Sequence, residues 1–101
     1  MKINILGTEY DFCMCSCNEM EDSDNLGECN RYTKTIKIND GYFLREGVEY
    51  EAEIKTIRHE IIHAIFHEAG LDCYAEDEIL VDALAVLIPK IEDVVKGTQR
   101  R

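Results

Sequence analysis

Ile54-Lys55-Thr56-Ile57-Arg58-His59-Glu60-Ile61-Ile62-His63-Ala64-Ile65-Phe66-His67-Glu68-Ala69-Gly70 is the stretch on which the fold turns. Ile54, Ile57, Ile61, Ala64 and Ile65 recur at three- and four-residue spacing, which predicts a helix of roughly five to six turns from about Val48 to Ala69. Gly70 falls where a helix-ending glycine belongs, and Leu71 is placed for the apolar contact that often follows it. Downstream, Asp77-Glu78 suits a helix N-terminus. Leu80, Leu84, Leu87 and Ile91 carry a second helix toward Lys96-Gly97, with Pro89 expected to kink or locally break it. Upstream the period falls to two. Lys2–Ile5 alternates and meets Gly7-Thr8. Tyr10–Cys17 then alternates with Tyr10, Phe12 and Met14 on one face, Asp11, Cys13 and Cys15 on the other. Arg31–Asn39 reads as one or two further strands closed by Asp40-Gly41. Strands first and helices second predicts an α+β fold: a small antiparallel sheet of three to four strands, then two helices packed on one face.

The chain of 101 residues has room for one domain, spanning 1–101, and its 46% hydrophobic and 32% charged content is that of a globular protein. Twenty-one acidic residues against eleven basic give a net charge of −10. A phosphate backbone is repelled on average, so nucleic acid is not an expected partner, and Arg100-Arg101 is too short to reverse that. Met1–Ile5 lacks a signal-peptide core. Asp82 interrupts the longest apolar run well before the ~20 residues needed to span a bilayer, so the expectation is a cytoplasmic protein without a membrane partner. Cys13, Cys15, Cys17, Cys29 and Cys73 are odd in number and lack framework spacing, which suits reduced thiols.

Within the first helix lies His59-Glu60-Ile61-Ile62-His63, the pattern H-E-x-x-H. Residues four apart differ by about 40° around a helix, so both imidazoles face one ion from the same side. Glu60, about 100° further round, is close enough to reach a water on that ion without entering its ligand set. Zinc accepts imidazole nitrogen readily, and in catalytic sites takes three protein ligands and one open position. A carboxylate beside the activated water takes its proton and delivers it to a leaving amine. These residues predict one Zn²⁺ per chain, with His59 and His63 as ligands and Glu60 as general base.

A third histidine, His67, sits one turn on. Three histidines in a row cover about 12 Å of helix rise, too long for three bonds of about 2 Å, so His67 is read as a rim residue. The better third ligand is Glu78 on the second helix, with Glu76 or Asp77 as alternatives. Asp82, one turn after Glu78 and embedded among Leu80, Val81, Ala83 and Leu84, needs a partner there, and a histidine ring N–H supplies one. Cys13, Cys15 and Cys17 lie about 6.6 Å apart along a strand, which disfavours a second metal site there, with or without Cys29. The acidic Glu19–Asp24 segment is read as a solvated loop.

His59–His63 followed by Asp77–Asp82 resembles the thermolysin-like gluzincins, in which H-E-x-x-H precedes N-E-x-x-S-D. The glutamate and aspartate positions match at Glu78 and Asp82; Asp77 stands for asparagine and Val81 for serine. With Ile3–Tyr10 at the start, Arg58–Ala64 in the middle and Ile88–Ile91 late, the whole chain is similar to small gluzincin-like proteins of phages and prophages, and through them to the ImmA/IrrE metallopeptidases. The resemblance implies a zinc-dependent peptidase fold with Glu78 ligating the metal and Asp82 orienting His59. Larger gluzincins add a downstream His or Tyr for the oxyanion, for which His67, Tyr74 and Tyr42 are the stand-ins here. The leading expectation is a peptidase acting on a peptide or protein substrate; the alternative is a catalytically inactive, zinc-stabilised protein-binding module.

Overall fold

Alternating apolar residues in the first forty positions build four short strands: β1 (Lys2–Ile5), β2 (Thr8–Cys15), β3 (Gly27–Asn30) and β4 (Thr35–Asn39). The structure, a computed structural model, describes residues 1–16, 19–20, 25–40 and 50–98. Cys17, Tyr42, Val48 and most of the acidic Glu19–Asp24 segment lie outside the described residues.

The α+β class is as expected, but the sheet is mixed rather than wholly antiparallel. Its order is β1-β2-β4-β3. β1 pairs antiparallel with β2, β3 antiparallel with β4, and the central β2–β4 pair is parallel, with Phe12 opposite Ile36 and Met14 opposite Ile38. Sequence neighbours were expected to pair. Instead β3, the next strand in sequence after β2, lies at the sheet's edge, and the β3–β4 hairpin returns the more apolar strand to the middle. There Ile36 and Ile38 are fully buried, each contributing about 1.5–3 kcal/mol. The β1–β2 loop has φ of 50° at Leu6 and 91° at Gly7, the two positive values a type I′ turn requires, and the Asn4 side chain accepts the Gly7 N–H at 2.9 Å.

Three helices follow: α1 (Tyr50–Glu68), α2 (Asp72–Ala75) and α3 (Glu78–Thr98). α1 buries two sides. Ile57, Ile61 and Ala64 face the sheet core of Ile5, Tyr10, Ile36 and Ile38, while Ile62 and Phe66 pack against Val81, Leu84 and Ala85 of α3. Ile65, expected with the apolar face, is exposed, because the third side of α1 meets solvent. α3 thus draws its packing from α1. At the end of α1, Gly70 adopts φ 76°, its N–H donates to His67 C=O at 3.1 Å, and the Leu71 N–H donates to Phe66 C=O at 2.8 Å. This is the Schellman pair of bonds. Glu68 ties the same end to the sheet by accepting from Tyr10 Oη and Lys34 Nζ, each at 2.7 Å. Hydrogen bonds from Lys34, then Thr8 and Tyr10, hold its carboxyl down at about 2. Pro89 does not break α3, which runs unbroken to Thr98; one lost backbone bond is outweighed by the turns on either side. Among the described residues no helix is long and apolar enough to cross a membrane.

Candidate metal centre

Between the two buried sides of α1 lies the sector that carries His59, His63, His67 and Glu60, and it opens into a cleft of about 430 Å³ between α1, β3 and the start of α3. One turn apart, His59 and His63 bring their Nε2 atoms to 3.1 Å. Glu78, in the first turn of α3, meets both: Oε2 is 3.0 Å from His59 Nε2 and Oε1 3.0 Å from His63 Nε2. Ligands about 2.0 Å from a tetrahedral ion stand about 3.3 Å apart. Two imidazoles and a carboxylate at 3.0–3.1 Å therefore fit a zinc-type ligand set with little movement. Among the described residues, His59, His63 and Glu78 form the group able to hold a metal ion.

Each histidine is braced from behind. His59 Nδ1 lies 3.2 Å from Asp82 Oδ1, so an Nδ1–H donated there leaves the Nε2 lone pair toward Glu78 and the cleft. Behind His63 stands the Ala75 backbone, whose influence favours the protonated ring. Burial outweighs this and pulls His63 below the usual imidazole range, favouring the neutral form a metal requires. Asp82 departs from expectation in one respect. Its carboxylate is half-exposed and also 3.7 Å from Lys55 Nζ, because its apolar sequence neighbours point round the helix to other faces.

Glu60 is 7% exposed. Burial pushes its carboxyl up to about 7; the His59 charge opposes this, while Glu78 and Glu28 add to it. β3 comes very close at this point. A Cβ on Gly27 would stand 2.9 Å from Glu60 Cγ and 3.0 Å from Oε2, so glycine is what lets the strand pass.

His67 lines the same cleft, outside the converging trio, with Nδ1 donating to Asp72 Oδ1 at 2.8 Å. Asp72 in turn pairs with Arg31 at 3.1 Å. The His67 bond, then the Arg31 charge, hold the Asp72 carboxyl below its usual range. The alternatives for third ligand separate cleanly. Glu76 sits at the rim, whereas Asp77 caps α3, its Oδ1 accepting the Leu80 N–H at 3.1 Å. Tyr74 is not at the cleft; it is exposed, with its ring 6.1 Å from that of Phe66. Cys13, Cys15 and Cys29 join no metal-capable group among the described residues. Burial pushes the Cys15 and Cys29 thiols up to about 12, away from the thiolate form. Sequence reasoning missed Gly27, Asp72 and the Ala75 backbone, which act only through the placement of β3 and α2. No family model, curated protein or solved structure matches the chain.

Proposed function

We propose that the chain is a zinc-dependent peptidase of the gluzincin type, with His59, His63 and Glu78 as ligands and Glu60 as general base. The observation that carries this reading is a buried glutamate beside a convergent His-His-Glu trio in one cleft. A structural metal site has no use for that glutamate. Bound there, zinc would supply Lewis-acid activation of water and of the scissile carbonyl. Glu60, its carboxyl raised by burial, is suited to accept a proton from the attacking water and pass it to the leaving amine. His67, fixed by Asp72 and Arg31 at the cleft wall, is the candidate partner of the developing oxyanion; with Nδ1–H given to Asp72, its Nε2 would donate there in the imidazolium form. β3 is the edge strand beside the cleft, and its outer backbone groups offer an extended peptide antiparallel pairing. That geometry favours a flexible peptide or protein substrate, and the phage-type gluzincins are the family it resembles. Cys13, Cys15, Cys29 and Cys73 are free thiols, which supports a reducing, cytoplasmic setting.

The test is to load the purified chain with zinc and incubate it with an unstructured protein, with and without chelator, beside Glu60→Gln. The expected result is one zinc per chain in both proteins and chelator-sensitive cleavage by the parent alone. Zinc binding without cleavage by the parent would leave the zinc-stabilised binding module. Stoichiometric zinc in a His59→Ala/His63→Ala variant would remove the metal centre altogether.

A further inference from the structure

α3 runs 21 residues, from Glu78 to Thr98. Its first half is covered by α1 through Val81, Leu84 and Ala85, but Leu87, Ile88, Ile91, Val94 and Val95 are exposed, from 41% at Ile88 to 70% at Val94. At 100° per residue these five, with Leu80 and Leu84 above them, fall within a stripe about 120° wide running the length of the helix. Among the exposed residues Leu87, Ile91 and Val94 are spaced four and three, the period of a two-helix seam, and they continue the row of Leu80 and of Leu84, which is already packed against α1. Pro89 lies about 160° from the centre of the stripe, where its missing N–H and ring do not obstruct a partner.

From this geometry we propose that the stripe is the interface of a homodimer in which two α3 helices lie parallel about a twofold axis. The area is sufficient. The five side chains expose about 500 Å² per chain, the size of patch that on a monomer marks a contact site. Two copies would bury at most about 1,000 Å² of apolar surface from these side chains, and with the flanks the total approaches the lower end of specific interfaces, about 1,200 Å². The charges select the partner. Lys90 flanks the stripe on one side and Glu92 on the other, each about 100° from its centre and about 3 Å apart along the axis. In a parallel pair each Lys90 therefore faces the other copy's Glu92, twice over. An antiparallel pair centred on Ile91 would set Lys90 against Lys90. Along the projecting half, Lys90 and Lys96 are balanced by Glu92 and Asp93, not the basic polar face an anionic membrane surface selects.

Sedimentation of the full chain across micromolar to several-hundred-micromolar concentration tests this. The expected result is a monomer–dimer equilibrium with Kd in the micromolar range. Ile91→Asp, at an exposed position that costs the core nothing, should weaken it at least about tenfold with an unchanged circular dichroism spectrum. Lys90→Glu should weaken it several-fold, and adding Glu92→Lys should restore it. A parent that stays monomeric throughout, or a monomeric parent that binds phosphatidylglycerol vesicles, overturns the proposal. So does a dimer indifferent to Ile91→Asp. Failure of the double charge exchange to restore pairing overturns the parallel arrangement.

Discussion

Glu60 is held in the folded chain with a carboxyl near 7, against about 4.3 in an unfolded one. The unfolded state therefore loses this proton first as pH rises, and the metal-free fold is destabilised progressively from about pH 4.3, fully above about pH 7. Glu60→Gln should remove a penalty of about 2–4 kcal/mol at pH 8 and almost nothing at pH 4, read by denaturant melts of chelator-treated protein. The same glutamate depends on its neighbour. Gly27→Ala places a Cβ against Glu60 Cγ, so it should cut hydrolysis at least about tenfold while zinc content stays at one per chain. Asp82→Asn should lower zinc affinity by about 10- to 100-fold, and Glu78→Ala much further, in chelator-competition titrations. The trio itself was legible because a period of four on a helix and a carboxylate at the next helix start are one-dimensional patterns. The exposure of Asp82 was not, since apolar sequence neighbours on a helix point to different faces.

The elements divide in the same way. α1 and α3 announce themselves by periodicity and by local caps, down to the left-handed Gly70. The sheet order does not. Alternation fixes which face of a strand is buried and is silent on which strand lies beside it, so β3, four residues long, reached the edge without a signal. Turn chemistry was only half visible, for Leu6 occupies a positive-φ position that side chains avoid. Leu6→Asn, which writes Asn-Gly into the type I′ turn, should raise stability by about 1 kcal/mol in urea melts. Glu68, held at about 2 by Lys34, Thr8 and Tyr10, stabilises the junction of α1 and sheet above about pH 4.3 and ceases to as pH falls toward 2. Glu68→Gln should accordingly be less stable than the parent at pH 7, the gap closing on acidification to pH 2.

For the molecule as a whole, the proposed ion would bridge α1 to α3, whose remaining hold on each other is the small apolar cluster of Ile62, Val81 and Ala85 with Phe66 and Leu84, and the contacts of Asp82 with His59 and Lys55. Chelation should lower Tm, because a ligand bound only by the folded state adds about 4 kcal/mol at a thousandfold excess over Kd. His59→Ala/His63→Ala should melt at one temperature with or without zinc.

The two imidazoles proposed as ligands also differ in how easily heredity can reach what supports them. His59 leans on the Asp82 side chain, which a single codon change replaces. His63 leans on the backbone at Ala75, which every amino acid carries. A saturating mutational scan should therefore find graded, tunable variants behind the first ligand and near-uniform tolerance behind the second, broken only by substitutions that reshape α2. Drift in this site has one adjustable side.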